Sequence, residues 1–343
     1  MSRRPLIGLT VGDPAGIGPE IVVKALQDPS AVDAIRSVVY ADGSVLRETL
    51  RFLGIDNELH AIDRAADGRF ELGCIDYVDC GVLPSDPSGT APLPMGQIGP
   101  EGGLAGYTYL DRAIDAALAG ELDGLATAPL NKESLQAAGV PFIDHTAVLS
   151  AKAAHREPMT LFVAQTLKIF FLTRHISFRQ IPDAITGELI LAALPLCELY
   201  LRQLGIESPH IAVAALNPHG GEQGLFGTDE MEVITPAVQT AVEQGWRVAG
   251  PVPADSVFHQ AHQGRYDGVL SLYHDQGHIA AKTLDFHGTV ALTMGLKFLR
   301  TSVDHGTAFD IAGRGIAEER GMIEAILASG RWSLPVKDRL GLE

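Results

Sequence analysis

Ser271-Leu272-Tyr273-His274-Asp275-Gln276-Gly277-His278 follows directly on an apolar run, Gly268 to Tyr273, and breaks onto a glycine turn. Open α/β sheets present their chemistry in this way, at the carboxyl ends of strands. Two further apolar runs also end on histidine. Leu167 to Thr173 leads to Arg174-His175, and Ile211 to Leu216 leads to Asn217-Pro218-His219-Gly220-Gly221. A lone histidine after a strand is more often structural than a ligand. Three with the same placement point to one metal. Neutral imidazoles favour zinc, cobalt, nickel or related divalent ions such as manganese over magnesium, which prefers oxygen ligands, and three protein ligands leave positions open for substrate.

Outward from this stretch, short apolar runs alternate with segments of helical period. The runs predict strands at Leu6 to Val11, Val38 to Tyr40, Gly124 to Thr127, Thr160 to Val163, Lys168 to Leu172, Ile211 to Leu216, Gly268 to Leu272 and Val290 to Met294. The periodic segments predict helices at Pro19 to Gln27, Ser44 to Leu53, Gly103 to Ala119, Gly187 to Leu204, Asp229 to Gln244 and Ile316 to Ala328. Pro19 suits a first helical position, and Asn131 can cap the turn of Lys132 to Ala137. Alternation of this kind predicts an α/β fold with a largely parallel sheet. The irregular stretch from Gly81 to Gly102, rich in proline, glycine and serine, reads as a surface loop or a flap.

At 343 residues the chain has room for two domains of roughly 150 residues each. With 46% hydrophobic and 20% charged residues it can bury sizeable cores. Its 42 acidic against 26 basic residues give a net charge of -16, without a basic cluster. That argues against nucleic acid as a partner, and an anionic substrate then requires locally gathered cations. Three cysteines without metal-ligand spacing fit a reducing cytoplasm rather than a disulfide scaffold. The basic N-terminus is followed by too short an apolar stretch for a targeting segment, and no run reaches the ~18 residues of a membrane span.

Several other segments have the residue types of a site. Gly12-Asp13-Pro14-Ala15-Gly16-Ile17-Gly18-Pro19-Glu20 joins a strand to a helix, and serves equally as a tight connection or an anion-binding turn. Asp255 precedes the His274 strand, where it can orient a ligand, move a proton or cap a helix. His278 and Lys282 fall four and eight residues after His274, on one side if the segment is helical. A lysine beside a metal suits a phosphate or carboxylate. Arg300 to Gly315 is dense in small and polar residues, and reads as an ordered loop suited to a backbone-lined cofactor site.

Together these segments resemble the 4-hydroxythreonine-4-phosphate dehydrogenase family. The resemblance is carried by Gly12 to Glu20, Thr127-Ala128-Pro129-Leu130-Asn131-Lys132, Asp144-His145-Thr146, Leu216-Asn217-Pro218-His219, Tyr273-His274-Asp275-Gln276-Gly277 and Arg300 to Gly313, in order along the chain. His305 to Gly313 is also similar to the cofactor loop of isocitrate and isopropylmalate dehydrogenases, the wider superfamily. The resemblance implies two α/β/α domains of that type with the active-site cleft between them, here residues 1–128 plus 287–343 on the cofactor side and 129–286 for metal, substrate and dimerisation. It implies NAD as cofactor, with NADP open, and a divalent metal held by His175, His219 and His274. His145, Thr146, Lys282 and Arg300 correspond to substrate contacts, and Gly306, Thr307, Asp310 and Ala312 to cofactor contacts. His145 or Asp255 is the implied base. Family members are homodimers with a shared site, so His274 is expected to come from the partner chain.

Where the biosynthetic enzymes carry an asparagine, this chain has Ala291, and Lys297 replaces a proline. A substrate hydrogen bond is lost there. The run from Ser256 to Gln260 and from Gly277 to Phe286 resembles more closely a sister group that acts on 4-phospho-D-threonate or 4-phospho-D-erythronate. That group releases dihydroxyacetone phosphate and carbon dioxide. A metal-dependent hydrolase and a non-catalytic sugar-acid binding protein are the readings from other classes. The hydrolase makes no use of the Arg300 to Gly313 loop, and the histidine trio argues against the binding protein.

Overall fold

The computed structural model describes residues 3–84 and 93–341. The chain divides into two compact units, residues 1–158 with 296–343, and residues 159–295.

Unit 1 is built on strands β1 (Leu6–Thr10), β2 (Arg36–Ala41), β3 (Glu58–Ala61), β4 (Cys74–Asp79), β5 (Gly124–Thr127) and, from the end of the chain, β12 (Leu299–Val303). They lie in the order β3-β4-β2-β1-β5-β12 with every pair parallel. Helices α1 (Gly18–Ala25), α2 (Pro29–Ala34), α3 (Gly43–Leu53), α4 (Pro100–Leu118), α5 (Lys132–Ala137), α6 (His145–Ala153) and α12 (Arg320–Arg339) accompany them. The core includes Ile7, Leu9, Val38, Leu125, Tyr109 and Ile326. Near-continuous burial of β1 and β5 is what a parallel strand covered on both faces requires.

Unit 2 takes most of β6 (Ala154–Ala164) and holds β7 (Leu167–Phe171), β8 (Ile211–Ala214), β9 (Val248–Val252), β10 (Gly268–Ser271) and β11 (Val290–Leu296). Their order is β11-β6-β7-β10-β8-β9. The β6/β7 pair is antiparallel, and β7/β10, β10/β8 and β8/β9 are parallel. Helices α7 (Ile181–Ala184), α8 (Gly187–Gln203), α9 (Thr235–Glu243), α10 (Ala254–His262) and α11 (His274–Leu284) belong here. The α/β class with largely parallel pairing agrees with the sequence reading.

Four strands escape that reading. The edge strand β3 is part-exposed and carries no apolar run, β4 is interrupted by Asp76, and β9 contains Gly250-Pro251. Arg300 to Val303, expected as loop, is a fully buried strand. Its Thr301 hydroxyl is satisfied by the Ala325 carbonyl at 2.8 Å, so polar residues are tolerated inside. The expected loop from Gly81 ends earlier than Gly102, because Pro100 starts α4, and residues 85–92 of it lie outside the described residues. The helix expected from Asp229 is a π turn, Glu230–Ile234, followed by α9. The last helix starts at Arg320 rather than Ile316, and Asp255 lies in the first turn of α10 rather than in a loop.

The units part at 158/159 and 295/296, rather than after 128 and 286. Helices α5 and α6 pack within unit 1, where Val148, Leu149 and Ala153 join the core. A Cβ on Gly103 of α4 would stand 2.0 Å from the Ser134 carbonyl of α5, so this glycine sets their close approach. In the opposite sense, β11 with Ala291 belongs to the apolar cluster of unit 2.

Candidate active site

The motif around His274 is explained residue by residue. Gln276 is buried, and its side chain accepts the Leu272 N–H at 2.8 Å and donates to the Ala215 carbonyl at 2.7 Å. It thereby ties the ends of β10 and β8, the strands that lead to His274 and His219. Gly277 admits β7, since a Cβ there would meet Phe171 at 2.6 Å and Ile169 at 2.8 Å. His274 itself opens α11, with Nδ1 2.7 Å from Asp275 Oδ1. An imidazole donating from Nδ1 to a carboxylate keeps its Nε2 lone pair for a ligand.

His175 lies four residues past β7, and its ring centre is 5.8 Å from that of His274. Two imidazoles on one tetrahedral ion have centres roughly 5 Å apart, given metal–nitrogen bonds of ~2.0 Å. These two fit a divalent ion in both spacing and donor chemistry. Among the described residues, the trio does not bring all its donor atoms within 4.8 Å of one another. His219 sits on a loop with φ of 54, 67, 78, 45 and 54° from His219 to Gln223. This left-handed run, costly for residues other than glycine, is held from below by Glu230. The buried Glu230 carboxylate accepts from Leu216 N at 2.8 Å, Asn217 N at 2.7 Å and Asn217 Nδ2 at 2.9 Å.

Beyond His274, helix α11 carries His278 and Lys282 on successive turns of one side, as the spacing predicts. His278 stacks on His274 at 3.6 Å and donates from Nδ1 to the His274 carbonyl at 2.8 Å. Lys282 is part-buried with Nζ 5.2 Å from the centre of the Phe286 ring. Asp255 is exposed on α10. Ala291 is buried among apolar neighbours that include Phe162 and Phe171, and offers no side-chain hydrogen bond.

Unit 1 gathers a second set of groups. Arg300 on β12 is 7% exposed, and donates from Nε and Nη2 to the Thr127 hydroxyl at 3.0 and 2.7 Å. Burial pulls its guanidinium down to about 10, with Asp144 opposing, so it stays charged at neutral pH. Asp144 caps α6 by accepting the Ala147 N–H at 3.0 Å, which leaves His145 and Thr146 in the first turn. His145 is held well below its ordinary value by burial first and by Arg300 second, while a hydrogen bond to the Ala128 backbone works the other way. Its buried Nε2 has no hydrogen-bond partner among the described residues. A neutral ring bonded through Nδ1 therefore presents an unsatisfied Nε2 lone pair.

The glycine-rich turn after β1 packs tightly on its own fold. A Cβ on Gly12 would lie 2.1 Å from the Pro129 carbonyl, and one on Gly18 would lie 1.9 Å from that of Val11. That close packing accounts for these glycines as a strand-to-helix connection. The turn also meets the segment expected at a cofactor, because Ile17 N donates to Thr307 O at 3.0 Å. Glu20 fixes the same segment through the Ala317 N–H at 2.7 Å, while Lys24 holds the Gly315 and Ala317 carbonyls at 3.0 and 2.8 Å. Gly306, Thr307, Asp310 and Ala312 thus belong to an irregular segment with a fixed backbone.

Residues 33–329 match the family described as pyridoxal phosphate biosynthetic protein PdxA. The chain belongs to this family. A PdxA-family relative from Symbiobacterium thermophilum, named "Putative D-threonate 4-phosphate dehydrogenase", is 47% identical over 333 residues, 97% of this chain and 98% of the relative. One of the same name from Clostridium botulinum is 44% identical with the same coverage. The crystal structure of 4-hydroxythreonine-4-phosphate dehydrogenase from Klebsiella pneumoniae superposes with a TM-score of 0.85 at 38% identity, covering 96% of this chain and 98% of that one. PdxA membership and these dehydrogenase relatives make the chain an oxidoreductase of the phosphorylated hydroxy-acid kind. Sequence reading missed Glu230 and Gln276, whose roles depend on contacts between strand ends.

Proposed function

We propose that this chain catalyses NAD-dependent oxidation of the 3-hydroxyl of a 4-phosphorylated four-carbon acid, followed by decarboxylation. The substrate is 4-phospho-D-threonate or 4-phospho-D-erythronate, and the products are dihydroxyacetone phosphate, carbon dioxide and the reduced cofactor. The observation that carries this reading is the placement of His175, His219 and a carboxylate-backed His274 just past the ends of the neighbouring strands β7, β8 and β10. The names of the full-length relatives support the substrate. Buried Ala291, where the biosynthetic enzymes have an asparagine, favours it over the aminated substrate of pyridoxal phosphate biosynthesis.

His175, His219 and His274 would hold the divalent ion, zinc by donor chemistry. Such an ion, when bound, lowers the pKa of the substrate hydroxyl and stabilises negative charge as carbon dioxide leaves, while bound nicotinamide accepts the hydride. His145 takes the hydroxyl proton on Nε2, because its neutral ring has a free lone pair there. Asp255, exposed on α10, is the second candidate. Arg300 and Lys282 hold the anionic ends of the substrate, supplying the local positive charge that the net -16 lacks. Thr146 adds a hydroxyl in the turn of His145. The segment with Gly306, Thr307, Asp310 and Ala312 receives NAD.

The enzyme works as a cytoplasmic homodimer with a shared site, without nucleic acid or membrane partners. Among the described residues, no single helix is long and apolar enough to cross a membrane. Phe178 three residues after His175, Ile279 on α11 and Phe286 just past its end are 78, 64 and 63% exposed. An apolar fringe of this kind suits cover by a second copy. Initial rates of reduced-cofactor formation with phosphorylated threonate, erythronate and 4-hydroxythreonine test the reading. A kcat/KM that favours the aminated acid would overturn the substrate, and no turnover of any of them would overturn the activity.

A further inference from the structure

We infer that His60, Cys74 and Asp76 of unit 1 form a binding site for a thiophilic divalent metal of the zinc type. The strand register creates it. In the parallel β3/β4 pair, Glu58 stands against Cys74 and His60 against Asp76. Cys74 and Asp76, two apart on β4, share the face on which His60 also falls. One donor atom from each of the three lies within 4.8 Å of the other two.

The donors are already oriented. Asp76 is 1% exposed at its side chain, with Oδ2 accepting the Phe70 N–H at 2.8 Å and Oδ1 2.7 Å from His60 Nδ1. His60 keeps 26% of its side chain exposed, which leaves a way in. A hydrogen-bonded histidine–aspartate pair explains two of the three groups. It does not explain a thiol directed to the same point, which the apolar core does not enclose.

Acidic groups surround the point: Asp76 is a donor itself, and Glu58 pairs with Cys74 across the two strands. On binding, a sulfur–metal bond replaces the S–H bond, and the thiol proton is released to bulk water. His60 stays neutral, its ring proton moving to the nitrogen turned away from the ion. One thiolate, one imidazole and one carboxylate with a water match zinc-type coordination. The site clips the part-exposed edge strand β3 to β4, so its effect is stabilisation of that edge.

Cobalt(II) added to the full-length protein is the test. Only a cysteine ligand gives a thiolate-to-cobalt charge-transfer band, so the all-histidine set proposed for catalysis is silent in this measurement. The band is expected in the wild type and in a His175→Ala/His219→Ala double variant. It is expected to vanish in Cys74→Ser, and zinc should raise the melting temperature of the wild type more than that of Cys74→Ser. Absence of the band, or its persistence in Cys74→Ser, overturns the site without touching the proposed activity. Loss of turnover in the double variant bears on the activity alone.

Discussion

Glu230 receives both the backbone N–H and the side-chain amide of Asn217, at 2.7 and 2.9 Å, and so holds the loop of His219 from beneath. Asn217 in turn donates to Asp229 Oδ2 at 2.7 Å. A left-handed run through His219, Glu222 and Gln223 does not persist unless its surroundings fix it. Glu230→Ala removes the acceptor of the part-buried N–H groups of Leu216 and Asn217, at a cost of about 1 kcal/mol each. Supporting residues of this kind typically change metal affinity by ~10–100-fold. Competition for zinc against a chromophoric chelator is expected to show a loss of that order. Unaltered zinc affinity in a folded Glu230→Ala protein removes Glu230 from this role.

His145 yields a prediction about pH. Its folded value lies well below the ordinary ~6.5, so the unfolded chain binds this proton more readily than the folded one. The stability it contributes is complete above ~6.5 and falls away as pH drops below that value. Thermal melts across this window should show a gentler acid slope for His145→Gln than for the wild type. The same residue as base puts the acid limb of kcat/KM below ~6.5, and its loss lowers kcat by roughly 10²–10⁴-fold. A wild-type limb well above ~6.5, with kcat preserved in His145→Gln, would assign the proton to another group such as Asp255.

Arg300 and Lys282 test the anion-holding role. Arg300 uses two nitrogens on Thr127, a fork that lysine lacks. Arg300→Lys should therefore raise the KM for the phosphorylated acid by about 10-fold or more, the loss of one charge-assisted contact of ~1.5–3 kcal/mol. Lys282→Ala should raise the same KM while NAD affinity, read by titration calorimetry, stays close to wild type. An unchanged substrate KM in Lys282→Ala would leave that lysine to its packing over Phe286.

The histidine trio was legible in the sequence because buried parallel strands are written as continuous apolar runs, and each run ended on its histidine. The neighbouring positions of β7, β10 and β8 were not, since strand order is set by packing between distant segments. Gln276 and Glu230 were hidden for the same reason. Each is an unremarked polar residue until a strand end from elsewhere comes within hydrogen-bonding reach. Arg300 was visible as a residue but not as a strand residue, because Arg300-Thr301-Ser302 looks like loop when the partners that satisfy it lie on Thr127 and α12. The grouping of α5 and α6 with unit 1 was hidden as well, because it follows the packing of Gly103 rather than the next strand.

Sharing of the site between chains has a direct test in mixed dimers. If His274 serves the partner, a dimer of one His219→Ala chain and one His274→Ala chain concentrates both defects in one site. The other site then receives His219 from the second chain and His274 from the first, and is intact. Co-refolded or co-expressed mixtures should recover activity at up to about half the wild-type rate per mixed dimer, although each variant alone is inactive. If each chain uses its own His274, which already lies 5.8 Å from its own His175, every site in the mixture lacks one ligand. No recovery in a mixture shown to contain mixed dimers would place all three histidines in one chain and overturn the shared site.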